Sequence, residues 1–357
     1  MVRVFYFYKM IDYLIVGSGI AGICFAEIAL QNNKSIFVFE NNSMNSSKIA
    51  GGIYNPVILK RFSEVWNATE QIAYLNDFYP KIESRLNIKI DFKTPVLRKF
   101  FSVEEQNNWF IASDKPSLTP FLSTNLLHKS YSGIEAPFGF GEVLQTGYVD
   151  TKLLLQSYHN YLIHNRLIFD ETFNYSELKI HSDCVSYRDI IAKNIIFAEG
   201  FGLHSNPYFN NLPLDGTKGE LFIIKAPNLN LDCILNSSVF ILPLGGDLFK
   251  VGATYNWVDK TNIPSKEGKH ELLERINELL NCDFEIIEHF AGIRPTVKDR
   301  RPLVGTHLEH KNLHILNGLG TRGVMLGPSL ARELFLHVEY GKPLDINIDI
   351  NRFIKKK

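Results

Sequence analysis

Four residues, Tyr13-Leu14-Ile15-Val16, run directly into Gly17-Ser18-Gly19-Ile20-Ala21-Gly22, and that junction limits what the chain can become. A short, wholly apolar run suits a strand buried on both faces of a parallel sheet. Each glycine then has a mechanical role, in which Gly17 makes the tight turn, Gly19 admits a pyrophosphate to the backbone, and Gly22 lets helix and strand pack closely. The pattern predicts a helix over Ile23 to Gln31 and a second strand from Ser35 to Phe39, ending at Glu40. The helix N-terminus offers N–H groups and about half a positive charge to a diphosphate. Glu40 can accept a hydrogen bond from a ribose 2′-OH and would repel a 2′-phosphate. A lone glycine motif is weak, but strand, glycines, helix, second strand and terminal acid agree here. They point to a βαβ unit that binds a dinucleotide with an unphosphorylated adenosine ribose.

Composition narrows the rest. At 357 residues and 45% hydrophobic, the chain can bury a large core, and its length suggests roughly two domains. Its 38 basic and 38 acidic side chains cancel, so no global field recommends nucleic acid or an anionic membrane as partner. Cys24, Cys184, Cys233 and Cys282 lie far apart with no CxxC spacing, which favours reduced thiols in a cytoplasm over zinc or a disulfide framework. The histidines form no HExxH or clustered ligand pattern, so no metal site is expected. Met1 to Met10 is too short in its apolar run for a signal peptide and reads as an extension, with Met10 an alternative start. Ile11 to Leu30 is apolar, yet it holds Asp12, Glu27 and the glycine turn, and reads as strand, turn and helix rather than a membrane span.

Near the other end, Leu313 to Leu316 reads as a strand, followed by Gly318-Leu319-Gly320-Thr321-Arg322-Gly323 and a helix over Ser329 to Val338. A second nucleotide would need a further βαβ unit, and only one short apolar segment, Ile346 to Ile350, remains. Two readings stay open: a turn that returns to the first sheet and brings a helix N-terminus to the electron-accepting ring, or an ordinary strand-to-helix turn.

Further short motifs lie between these ends. They are Ser46-Ser47-Lys48-Ile49-Ala50-Gly51-Gly52, Gly147-Tyr148-Val149-Asp150, Ile195-Ile196-Phe197-Ala198-Glu199-Gly200, Lys218-Gly219-Glu220, Phe249-Lys250-Val251-Gly252-Ala253-Thr254, and Ala291-Gly292-Ile293-Arg294-Pro295 with Asp299 and Pro302. In this order the chain resembles, from Ile11 to about Pro343, the D-amino-acid oxidase type of FAD-dependent oxidoreductases, which includes glycine oxidase and sarcosine oxidase. The resemblance implies an α/β fold: a Rossmann-like FAD-binding domain with an interleaved, mainly antiparallel-sheet substrate domain. The FAD-binding domain is expected from residues 10–80, 146–205 and 306–345, and the substrate-binding domain from 81–145 and 206–305. Asp91 to Phe110 and Leu221 to Thr254 have the character of antiparallel strands. Gly268 to Cys282 reads as an amphipathic helix covering them.

The same resemblance implies FAD as cofactor, held by Gly17, Ser18, Gly19, Ile20, Ala21, Gly22, Glu40, Ser47, Ala50, Gly51, Gly52, Ala198, Gly200, Gly318, Gly320, Thr321, Arg322 and Gly323. Non-covalent binding is expected, because Gly292 stands where the sarcosine oxidase pattern has its linking cysteine. The implied chemistry is oxidation of a C–N bond in a small carboxylate-bearing amine or amino acid. A hydride passes to flavin N5, the imine hydrolyses in water, and O2 is reduced to H2O2. Arg294 is the expected carboxylate anchor, since a guanidinium fork can make two parallel charge-assisted bonds; a strand-end salt bridge is the alternative. Lys250 matches a lysine that assists oxygen reduction in sarcosine oxidase, although such a residue can equally face solvent. Arg322 is expected at the flavin edge or the substrate, or on the surface. Ala50 to Pro56, Lys298 to Gly305 and Gly318 to Gly323 are also similar to the oxidase half of the bifunctional tRNA wobble-uridine enzyme. With no methyltransferase half and no broad basic surface, tRNA is the less favoured partner. A flavin-binding protein without turnover is the third reading.

Overall fold

The computed structural model describes residues 10–41 and 46–353; the extension ahead of Met10 and the Lys355-Lys356-Lys357 tail lie outside the described residues. The apolar run beginning the chain becomes the strand Ile11–Val16, flanked in parallel by Ile36–Glu40 on one side and Ile190–Phe197 on the other. Ile168–Asp170 extends the sheet beyond Ile36–Glu40, and Leu313–Asn317 pairs in parallel with the far half of Ile190–Phe197. The near half of that strand carries the antiparallel Val185–Tyr187 and Leu178–Ile180 instead. The helices Ile20–Gln31 and Gly323–Tyr340 pack against each other over this sheet, with Tyr13, Phe25 and Phe335 meeting edge to face or tilted between them.

The second sheet has eight strands in the order Glu285–Val297, Leu214–Lys225, Leu248–Gly252, Phe240–Gly245, Ile234–Asn236, Val96–Lys99, Phe140–Val143 and Leu122–Leu127. All neighbours are antiparallel except Ile234–Asn236 with Val96–Lys99. Side-chain alternation gives this sheet two different faces. Phe222, Ile224, Phe249 and Val251 pack under the helix Lys266–Asn277 through Leu272 and Ile276. Gly219, Leu221, Gly252, Gly292 and Arg294 face the parallel sheet across a cavity.

Several expected elements shift. Val103–Ser113 is a helix where Asp91 to Phe110 reads as strands, because Ser102 caps it by accepting from Glu105 N at 3.2 Å while the Glu105 carboxylate accepts from Phe101 N at 2.8 Å. The first helix begins at Ile20 rather than Ile23, and the last at Gly323 rather than Ser329. The expected helix Gly268 to Cys282 spans Lys266–Asn277, leaving Leu279 and Leu280 buried in the turn beyond it. The helix Ala68–Leu86 runs through Pro80 and across the expected boundary at residue 80, because Ile72, Leu75, Tyr79 and Ile82 continue one buried stripe.

Candidate active site

The cavity, about 1530 Å³, lies between the carboxyl ends of the parallel strands and the open face of the antiparallel sheet. At its sheet end Gly17 turns the chain at φ +98°, and a Cβ there would stand 2.5 Å from the Ala198 carbonyl oxygen. Gly22 is equally constrained, since its Cβ would lie 1.9 Å from the Gly17 carbonyl oxygen. Gly19 caps the helix Ile20–Gln31 without any side-chain bond, and no acid occupies the first turn. The helix Gly323–Tyr340 likewise starts with no side-chain cap and no first-turn acid. Two helix N-termini, each with a partial positive charge, therefore open on one space.

Glu40 borders the cavity and accepts from Ser18 N at 2.6 Å and Ser18 Oγ at 2.9 Å. The Ala50-Gly51-Gly52 turn forms another wall; Gly52 has φ +67°, and its Cβ would be 1.9 Å from the Val149 carbonyl oxygen. The Ala50 carbonyl accepts from Lys250 Nζ at 3.0 Å and Thr151 Oγ1 at 3.3 Å. On the opposite side Asn317 Nδ2 donates to the Gly200 carbonyl at 2.9 Å, joining the ends of two parallel strands.

Arg294 and Arg322 enter the far end of the cavity, both part-buried. Arg294 Nη1 donates to the Thr254 carbonyl at 3.1 Å, and its Cζ lies 4.5 Å from the centre of the Tyr255 ring. Arg322 Nη1 donates to the Asn55 carbonyl at 2.8 Å. Burial pulls both guanidinium pKa values down, Tyr255 opposing. Among the described residues, neither arginine forms an ion pair with a carboxylate. A buried cation without a counter-ion is costly, so an anionic ligand here gains what the protein does not provide.

Of the residues singled out in the sequence, Gly17, Gly19, Ile20, Ala21, Glu40, Ser47, Ala50, Gly51, Gly52, Ala198, Gly200, Gly320, Thr321, Arg322, Gly323 and Arg294 border the cavity. Ser18 instead borders an adjoining hollow of about 300 Å³ with Gly19, Glu40 and Ser47. Gly22 and Gly318 lie behind the wall, where their missing side chains permit close packing; a Cβ on Gly318 would be 2.5 Å from Val297 Cγ2. Lys250 does not itself border the cavity; its ammonium donates to the carbonyl of Ala50, a wall residue, and burial lowers its pKa. None of His204, His289, His307 and His314 borders the cavity. Among the described residues no group of three or more His, Cys, Asp or Glu side chains can hold a metal ion, and no helix is long and apolar enough to cross a membrane.

Two wall residues escaped the sequence reading. Tyr255 lies one position beyond the Phe249 to Thr254 motif, and Glu199 sits inside Ala198-Glu199-Gly200. Burial pushes the Glu199 carboxyl up to about 7, against the Asn206 amide 2.7 Å away and the Tyr175 hydroxyl, which both donate to it.

The βαβ glycine turn, the enclosed space beside it and the arginine-lined face opposite define a dinucleotide-binding protein with room for a second, anionic ligand. Residues 12–335 match the family model described as FAD dependent oxidoreductase, and the chain belongs to that family. A stretch of 194 residues is 26% identical to the tRNA 5-methylaminomethyl-2-thiouridine biosynthesis bifunctional protein MnmC of Shewanella halifaxensis, covering 44% of this chain and 30% of that protein. Another, of 161 residues, is 25% identical to glycine oxidase of Bacillus subtilis, covering 42% of this chain and 43% of that one. The matched stretches span less than half the length of either relative. The fold is similar to the crystal structure of glycine oxidase from Geobacillus kaustophilus, with a TM-score of 0.75, 18% identity, and coverage of 97% of this chain and 99% of that one.

FAD is the cofactor of this family, and the site fits it: Gly19, Gly200 and Gly320 border the cavity where an added Cβ would point into space with no protein atom closer than 3.4 Å, so the backbone there lies open to a ligand, and two helix N-termini without first-turn acids face it.

Proposed function

We propose that this chain oxidises a C–N bond of a small amine or amino acid that carries a carboxylate, using O2 as acceptor and releasing H2O2. The observation that carries the reading is Arg294: a part-buried guanidinium on the cavity wall, without a carboxylate partner among the described residues, opposite the glycine cradle. Bound FAD supplies the hydride-accepting chemistry. The cradle from Gly17 to Gly22 and the Ala50-Gly51-Gly52 turn hold the cofactor without a covalent link. Arg294 binds the substrate carboxylate through its free fork and so fixes the donor carbon's position. Tyr255 covers one face of that guanidinium, while Leu221 and Phe240 provide apolar wall that excludes water from the reacting end. Arg322 adds a second cation at the same end. Imine hydrolysis needs no further side chain.

The test is direct. Purified protein should carry a flavin absorbance spectrum that bleaches anaerobically with glycine, sarcosine, proline or D-alanine, and should form peroxide when oxygen is admitted. Well-folded protein that is colourless and refuses FAD, or a bound flavin that none of these amines reduces, would remove the proposal. A second reading keeps the same chemistry but carries the amine on a wobble uridine of tRNA. It is supported by the likeness to the tRNA biosynthesis protein and by Phe101 and Tyr255, which border the cavity while 52% and 59% exposed, as stacking faces for bases. Salt-sensitive tRNA binding, together with inertness toward free amino acids, would select it.

A further inference from the structure

The Lys218-Gly219-Glu220 motif has no part in that chemistry, yet it lies directly beneath Arg294. The backbone of residues 254–256 runs antiparallel to it: Lys218 N donates to Asn256 O at 2.8 Å, Asn256 N to Lys218 O at 2.9 Å, and Thr254 N to Glu220 O at 3.2 Å. Gly219 therefore stands opposite Tyr255. On the cavity side, a Cβ built on Gly219 would lie 1.9 Å from Arg294 Nη2 and 2.2 Å from its Cζ. The guanidinium occupies the space that any side chain at 219 would fill, with the Tyr255 ring against it.

On the other face, Lys218 and Glu220 are 1% and 2% exposed and hold the segment that follows Tyr255. Lys218 Nζ donates to Asp259 Oδ2 at 2.5 Å, to Thr261 Oγ1 at 3.3 Å and to the Ile263 carbonyl. Glu220 accepts from Ser265 Oγ at 2.6 Å and Ser265 N at 3.0 Å, and its own N–H donates to Thr254 Oγ1 at 2.9 Å. Three consecutive residues thus form the floor for the guanidinium and fasten both ends of the segment bearing its aromatic neighbour.

We infer that Lys218-Gly219-Glu220 is the positioning element of the anion pocket: Gly219 fixes where the Arg294 fork lies, and the two flanking charges fix Tyr255 against it. The inference rests on the carboxylate reading of Arg294.

The experiment uses FAD-bound protein and acetate, a carboxylate with no amine to oxidise, titrated through the change in flavin absorbance. Gly219→Ala should weaken acetate binding at least ten-fold with FAD content and unfolding temperature retained. Arg294→Ala should weaken it comparably, and the double variant should be no worse than Arg294→Ala alone, since both act through one guanidinium. Wild-type acetate affinity in Gly219→Ala beside a weakened Arg294→Ala, or additive losses, would overturn the positioning role and leave the carboxylate reading standing. Unchanged affinity in Arg294→Ala would overturn that reading and the inference with it. Should Gly219→Ala fail to fold, Lys218→Met serves: faster backbone hydrogen exchange over residues 254–263 with weaker acetate binding is expected, and wild-type exchange and affinity there would refute the tie.

Discussion

Replacing Arg294 by alanine removes the proposed carboxylate anchor while leaving the glycine cradle untouched. Among the described residues the side chain donates only through Nη1, to the Thr254 carbonyl at 3.1 Å, so most of a five-donor fork remains for a ligand. Two charge-assisted bonds at about 1.5–3 kcal/mol each give about 3–6 kcal/mol gross. Water entering the space left by the side chain recovers part of this, so a net loss of roughly 3–4 kcal/mol is expected, or two to three powers of ten in reduction at low substrate. Arg294→Lys should fall between, keeping the charge and losing the parallel geometry. The assay is anaerobic stopped-flow reduction with sarcosine, followed as loss of flavin absorbance, beside an amine of similar size that lacks a carboxylate. Unchanged reduction by sarcosine refutes the assignment. An equal loss for both amines would show that Arg294 shapes the pocket without binding the carboxylate.

Other substitutions probe other parts of the site. Gly52→Ala forces a Cβ to 1.9 Å from the Val149 carbonyl at φ +67°, so this variant should accumulate with little or no FAD per chain, measured spectrally after purification. Lys250→Met removes the bond to the Ala50 carbonyl and should weaken FAD binding about ten-fold in an equilibrium titration. Slower oxygen consumption at unchanged FAD affinity would instead assign its ammonium to the oxygen reaction. Glu199 has its carboxyl raised to about 7 from 4.5 by burial, so between those values the folded chain binds more protons than the unfolded one. Stability should therefore fall as pH climbs through that window, by up to about 3 kcal/mol, and level off above it. Glu199→Gln should flatten that slope in urea unfolding at successive pH values; an unaltered slope would assign it to other groups.

Short-range patterns were the legible part of this molecule. The first strand, turn, helix and second strand follow from apolar runs and glycines within thirty residues; Gly318 to Gly323 was legible as a turn, but its return to the first sheet is decided by the parallel pairing of Leu313–Asn317 with Ile190–Phe197. The helix Val103–Ser113 was obscured because Val103, Trp109 and Phe110 suit strands, while its start signal rests on Ser102 and Glu105 alone. The start of Gly323–Tyr340 was hidden by Gly327 and Pro328. Gly327 is tolerated because that helix packs so closely that a Cβ would lie 3.0 Å from Cys24 Sγ. Alternation along Leu248–Gly252 puts Lys250 on the face opposite Phe249 and Val251, but only tertiary packing determines that it meets Ala50 rather than the cavity. The pairing of Gly219 with Tyr255 and its use by Arg294 depend on three segments far apart in sequence, which no local pattern encodes.

The strand Ile190–Phe197 joins Ile11–Val16 on one edge to Leu313–Asn317 on the other, and Tyr13 OH reaches Glu339 Oε1 at 2.5 Å. Contacts between such distant stations close slowly and late. On a translating ribosome the first glycine turn emerges early but has no finished sheet to join until the segment around residue 340 has been made. Loading with the flavin nucleotide is thus expected only once the segment around residue 340 has emerged. A nascent chain stalled near residue 300 should retain no cofactor, whatever the integrity of its opening motif.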